Sequence, residues 1–144
     1  MQARGLIDTG ALLALLDKDD KWHSACVAAF DGMRLPLGTT YAVLAELFHL
    51  LGESKKEHDA AWQLLRSGGI TILGLEDADL PALQALMERY RDRPMDFADA
   101  TLVHVAAKHA LAEILTIDHD DFETYRWSGK RRFRIVPGRD VAGA

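Results

Sequence analysis

Apolar positions in this chain recur in two rhythms, short unbroken runs and three-to-four-residue spacings, and the switches between them mark its elements. Gly5-Leu6-Ile7-Asp8 is a short apolar run that closes on a carboxylate, and Thr9-Gly10 turns from it into the apolar helical segment Ala11 to Leu16. Lys18 to Lys21 is a polar loop, after which Trp22, Cys26, Ala29 and Phe30 recur at helical spacing. Leu35-Pro36-Leu37-Gly38 is short and marked by Pro and Gly, so it predicts only a brief strand. Val43, Leu44, Leu47, Phe48 and Leu51 restore the helical period across Tyr41 to Leu51. Gly52 to Glu57 reads as a charged turn, and His58 to Arg66 as a helix that Gly68-Gly69 ends.

The second half repeats the alternation. Ile70 to Leu73 predicts a strand, and Glu76 to Arg91 predicts a helix with Leu80, Leu83, Leu86, Met87 and Tyr90 on one stripe. Glu76, Asp77 and Asp79 suit the positive N-terminal end of that helix. Asp96 to His109 carries Phe97, Ala100, Val103 and Ala107 at helical spacing, and Ile114 to Asp118 is again a strand ending on an acid. Phe133 to Val136 predicts a last, edge-like strand. Short strands separated by helices require crossover connections, so the expected fold class is α/β, with three α/β/α layers around a short, mainly parallel central sheet. Ligands bind such sheets beyond the carboxyl ends of the strands, where Asp8 and Asp118 would both stand.

Composition narrows the class. The chain has 144 residues, 49% hydrophobic and 27% charged, which suits one globular domain spanning 1–144 and argues against disorder. The longest apolar run, Ala11 to Leu16, is far short of the ~20 residues of a membrane span. No export signal opens the chain, and the single cysteine, Cys26, forms neither a disulfide framework nor a zinc site, so a soluble protein of the reducing cytoplasm is expected. Net charge is −5, but residues 126–144 hold six bases (Arg126, Lys130, Arg131, Arg132, Arg134, Arg139) against Asp140 alone. An acidic body with a basic end argues against a nonspecific DNA coat and suits contact with one nucleic-acid segment.

Taken singly, the acids have ordinary explanations. Asp at a strand end caps the following helix, Glu46 inside an apolar helix can pair with a buried arginine, and Asp96 and Asp99 can be the cap and first-turn acid of their helix. Taken together, Asp8, Glu46, Asp99 and Asp118 can converge at one sheet edge. Four carboxylates in one cleft repel unless a multivalent cation neutralises them, and oxygen-only ligands favour Mg²⁺ or Mn²⁺.

The segments Leu6-Ile7-Asp8-Thr9-Gly10-Ala11-Leu12-Leu13, Ala45-Glu46-Leu47, Asp96-Phe97-Ala98-Asp99-Ala100 and Leu115-Thr116-Ile117-Asp118, with Asp121-Phe122, resemble in order and spacing the PIN domain of metal-dependent nucleases. Within that family the chain is most similar to the toxins of virulence-associated protein C type. The resemblance implies that Asp8, Glu46, Asp99 and Asp118 are catalytic acids holding Mg²⁺ or Mn²⁺, with Asp96 as an extra acid at the rim. It places Thr9 and Thr116 where hydroxyls orient carboxylates or water. It further implies an endoribonuclease cutting single-stranded or loop RNA, paired with a small antitoxin and assembled as a homodimer. Two rivals stay open: an RNA-processing nuclease with no antitoxin, and a binding module that grips RNA or protein without cutting.

Arg126, Trp127, Lys130, Arg131 and Arg132 form an aromatic and basic cluster that suits RNA contact, against the alternative of a solvated charged loop. Trp22 and Trp62 are expected in the core from their helical spacing, and His119 on a surface loop.

Overall fold

A computed structural model describes residues 2–141, with backbone alone at 141. Five strands, β1 (Gly5–Ile7), β2 (Leu37–Thr39), β3 (Ile70–Ile72), β4 (Glu113–Leu115) and β7 (Arg134–Val136), form one sheet in the order β3-β2-β1-β4-β7, and every pairing is parallel. Seven α-helices occur among the described residues: α1 (Thr9–Leu16), α2 (His23–Gly32), α3 (Tyr41–Leu51), α4 (Lys55–Leu65), α5 (Leu80–Arg89), α6 (Phe97–His109) and α7 (His119–Thr124). Two further strands, β5 (Arg126–Ser128) and β6 (Arg131–Arg132), pair antiparallel as a separate hairpin. The α/β class and the parallel sheet flanked by helices thus stand as the apolar pattern predicts.

The strands are short, and the central β1 and β2 are buried throughout, as parallel strands covered by helices must be. Leu6, Ile7, Leu37, Ile114 and Leu115 are completely buried, and Leu12, Val43, Leu47 and Leu102 pack on them from the helices. Gly38 in β2 leaves room for Leu73, since a Cβ there would lie 2.6 Å from that side chain and force it to shift.

Strand order places the site. Successive strands run outward from β1 through β2 to β3 on one side, while β4 and β7 lie on the other. The order reverses between β1 and β4, and at such a switch point the following helices diverge and leave a crevice beyond the strand ends. Asp8 follows β1, and Asp118 follows β4 by a short loop.

Three boundaries differ from the periodic reading. Helix α1 begins at Thr9 because Asp8 caps it, its Oδ1 accepting the Ala11 amide at 3.0 Å. Helix α4 begins at Lys55, a turn earlier than its apolar stripe suggests, because the Ser54 hydroxyl accepts from the Glu57 amide. The segment expected to be one helix from Glu76 opens as a 3₁₀ turn, Asp77–Asp79, before α5. Asp79 closes that turn on the Glu76 amide and receives His104 and Lys108 of α6, which hold its carboxyl down to about 2. The polar cluster therefore latches the start of α5 to α6.

Candidate active site

Four elements bring acids to the switch point. Asp8 ends β1 and caps α1, Glu46 projects from α3, Asp96 and Asp99 open α6, and Asp118 precedes α7. With Thr9, Gly10 and Ile117 they line a cleft of about 350 Å³. A larger groove of about 450 Å³ runs beside Leu80, Met87 and Phe97, but it carries a single acid, Glu88, so chemistry rather than volume selects the site.

Each acid is held by its own local geometry. Asp8 is only 5% exposed; beyond its cap bond to Ala11, its Oδ2 accepts the hydroxyl of Thr116, which in turn accepts the Asp118 amide at 3.0 Å. One threonine therefore couples the carboxylate after β1 to the backbone after β4. Asp96 caps α6, its Oδ1 accepting the Asp99 amide at 2.8 Å, and this presents Asp99 in the first turn. Asp99 Oδ2 accepts the Tyr125 hydroxyl at 3.0 Å. Helices α3 and α6 are tied by the Thr40 and Thr101 hydroxyls, 2.8 Å apart, and Thr40 caps α3. That tie sets Glu46 relative to Asp99. No described arginine or lysine pairs with Glu46, so the buried ion pair that its sequence context allows is not formed among the described residues.

Electrostatics follow from burial and mutual repulsion. Burial pushes the Asp8 carboxyl up to about 7 against the opposing pull of its Thr116 and Ala11 hydrogen bonds, with Asp118 and Glu46 adding repulsion. Burial and the neighbouring Asp96 push Asp99 up to about 8. Asp118 is raised as well, by loss of water around its carboxyl and by Asp121. One carboxylate oxygen from each of Asp99, Asp118 and Asp121 can be chosen so that all three lie within 4.8 Å of one another. Concentrated acids with raised proton affinity, offering only oxygen donors, fit a hard divalent cation that would replace the protons.

Asp121 joins the cluster although its motif alone does not mark it as a ligand. Its spacing of three from Asp118 is the available signal, since a helix places such a pair on one face. The Arg93 guanidinium, 3.1 Å away, steadies it. Thr9 is buried and lines the cleft, while Thr116 makes the bond to Asp8 just described.

The basic segment divides. Trp127 is turned inward, 8% exposed, with its indole N–H donating to the Arg132 carbonyl at 3.1 Å, so neither the stacking platform nor the solvated loop describes it. Arg126 folds back to donate to the carbonyls of Glu123, Thr124 and Tyr125, capping α7 rather than reaching outward. Lys130, Arg131 and Arg132 are exposed around the turn between β5 and β6, where Gly129 adopts a φ of 60°. His119 is not on a surface loop: it is buried on α7, its ring tilted against Trp22 and hydrogen-bonded to the Pro137 carbonyl at 2.9 Å. Trp22 is in the core as expected, whereas Trp62 is half exposed because α4 turns only Ala61 fully inward.

A five-stranded parallel sheet flanked by helices, with an acid-lined crevice at its switch point, is a PIN-like α/β fold. The PIN domain family model matches residues 5–127, and the chain belongs to that family. It is a homologue of a VapC ribonuclease: Ribonuclease VapC26 of Mycobacterium tuberculosis (strain ATCC 25618 / H37Rv) is 30% identical over 135 residues, covering 92% of this chain and 99% of the relative. Among solved structures, M. tuberculosis VapC20, described as a sarcin-ricin loop cleaving toxin, superposes with a TM-score of 0.70 at 20% identity, covering 80% of this chain and 90% of that one. A toxin-antitoxin complex from Klebsiella pneumoniae superposes with a TM-score of 0.64 at 18% identity, covering 87% and 95%. These two similarities establish a shared fold.

Proposed function

We propose that this chain is a Mg²⁺- or Mn²⁺-dependent endoribonuclease acting as the toxin of a toxin-antitoxin pair. The observation that carries the reading is the meeting of Asp8, Glu46, Asp99 and Asp118 in one cleft, with raised proton affinity at Asp8, Asp99 and Asp118. Asp99 and Asp118, with Asp121, would hold the cation, and Asp8 and Glu46 complete its anionic surroundings. A divalent cation bound there supplies Lewis acidity and lowers the pKa of water, the two needs of phosphodiester hydrolysis at neutral pH.

The protein's own groups set the stage. Thr116 keeps the Asp8 carboxylate facing the cleft, Asp96 holds the first turn of α6, and Glu46 enters from the helix that follows β2. Water adds to phosphorus, the bond from phosphorus to the 3′ oxygen breaks, and that oxygen takes a proton. The phosphate remains on the 5′ end of the downstream fragment. Exposed Lys130, Arg131 and Arg132 are proposed to draw single-stranded or loop RNA toward the cleft.

The Klebsiella toxin-antitoxin complex, similar in fold, supports a small antitoxin as partner. A homodimer is supported by Tyr41, Leu80 and Phe97, large apolar side chains left exposed along adjoining grooves. The deciding experiment incubates purified protein with structured RNA and Mg²⁺, Mn²⁺ or EDTA, beside the Asp99→Asn protein. Cleavage in metal alone, absent from the variant, is expected; RNA binding without metal-dependent cleavage would establish the binding-module reading instead.

A further inference from the structure

Tyr125 lies outside the acidic set, yet its hydroxyl is the single described side-chain donor to Asp99. The residue is 1% exposed, and its ring is wedged edge-on between Phe122 of α7, 5.2 Å away, and Tyr90 beyond α5, 5.1 Å away. Tyr90 is fixed in turn, because its hydroxyl accepts the Arg126 amide at 3.0 Å. The phenol therefore has no freedom to turn away from the carboxylate it meets. It occupies Oδ2 and leaves Oδ1 of Asp99 without a described hydrogen-bond donor.

We propose that Tyr125 is a positioning residue for Asp99: it holds one carboxylate oxygen so that the other faces Asp118 and Asp121 as a cation ligand. The proposal rests on the reading of Asp99 as a metal ligand. A carboxylate flanked by other acids would otherwise rotate to lessen their repulsion, and a neutral donor on a rigid ring prevents this without neutralising the charge that a cation needs. Because α7 carries Asp121 and Tyr125 follows that helix, one short segment both contributes an acid and orients another from α6. Partners of this kind around metal ligands commonly shift affinity about 10- to 100-fold.

The test compares Tyr125→Phe, which keeps the ring and removes the hydroxyl, with Tyr125→Leu and Asp99→Asn, using calorimetric Mn²⁺ titration of the whole chain. Tyr125→Phe should weaken Mn²⁺ binding about tenfold while melting near wild type in EDTA. Its cleavage should fall at limiting Mn²⁺, recover at saturating Mn²⁺, and show an unchanged KM for RNA. Tyr125→Leu should lose both packing and Mn²⁺ affinity, so recovery of packing alone by Phe separates positioning from structural support. Mn²⁺ affinity within twofold of wild type in Tyr125→Phe, with Asp99→Asn strongly weakened, overturns the proposal and spares the metal site. If Asp99→Asn itself binds Mn²⁺ like wild type, the metal-ligand reading and the proposal fall together. A second readout does not depend on the variant folding: in wild-type protein carrying 3-fluorotyrosine, with Tyr41→Phe and Tyr90→Phe giving the assignment, the Tyr125 fluorine signal should move with Mg²⁺ at the calorimetric midpoint. A stationary signal overturns the proposal.

Discussion

Asp8 shows how one residue serves fold and chemistry at opposite energetic signs. Its carboxylate caps α1 and takes the Thr116 hydroxyl, both favourable, yet burial drives its proton affinity up to about 7 from an ordinary 3.8. An acid whose folded pKa exceeds its unfolded value binds more protons when folded. Its contribution to stability is therefore greatest at low pH and declines as pH rises from about 4 through 7. Asp8→Asn should consequently be more stable than wild type in EDTA at pH 8, by about 1–3 kcal/mol, and close to wild type near pH 4, where protonating Asp8 on folding costs little. Thermal melts at the two pH values check this, and equal destabilisation at both would show that the amide disrupts packing instead. The same variant should lose the stabilisation that Mg²⁺ gives the wild type. At this scale the four quartet acids and Thr116 were legible because short motifs preserve residue type and order. Asp121 and Tyr125 were less so, since their roles depend on an acid of α6 that is 22 and 26 positions away in the chain.

Helix ends decide which acid of a motif does what. Asp96 and Asp99 share the first turn of α6, but the first spends its Oδ1 on the cap while the second points into the cleft with its proton affinity raised to about 8. Asp96→Asn keeps an oxygen for the cap and should lower cleavage less than about tenfold, whereas Asp99→Asn removes the charge of the proposed ligand and should lower it at least about 100-fold. Initial rates at saturating Mg²⁺ distinguish the two, and the reverse ranking would exchange their roles. At the far end of α7, Arg126 donates to the carbonyls of Glu123, Thr124 and Tyr125. Arg126→Gln should cost about 1–2 kcal/mol, read as a fall in Tm, and should leave the salt dependence of RNA binding unchanged. Long elements with a sustained period, α3 and α6 above all, were readable from spacing. Helix α7 and the β5–β6 hairpin were not, because a six-residue helix and strands of three and two residues cannot establish a period against their charged composition. Trp127 and His119 were misplaced for that reason: nothing local shows that the segment folds back against the body.

Across the whole molecule, charge is separated between an acidic crevice and a basic hairpin tip. Replacing Lys130, Arg131 and Arg132 together by Gln should weaken RNA binding and flatten its salt dependence by about 0.7 in slope for each phosphate no longer neutralised. Cleavage at saturating RNA should persist, since such charges act alike in ground and transition states. An unchanged slope would return the tip to a merely solvated surface. Arg134 and Arg139 are excluded from this group because they pair with Glu113 and with Asp120 and Glu123. Cation binding should also be linked to pH: because Asp8, Asp99 and Asp118 must release protons held by burial and repulsion, the Tm gain from a fixed Mg²⁺ concentration should grow as pH rises from about 6 to 8. A gain independent of pH would place the cation away from these acids.

What the amino-acid sequence determined by itself was the alternation of strands and helices, the α/β class and the identity of the acids, since each is written in local spacing and residue type. Tertiary structure alone decided the strand order that opens a crevice between β1 and β4, the Thr116 bond that reaches Asp8 across 108 positions, the burial of Trp127 and His119, and the hydroxyl of Tyr125 against Asp99. The physical reason is range. Periodicity reports which face of an element seeks burial, whereas the partner that supplies the burial, the donor or the repelling charge comes from chain far away.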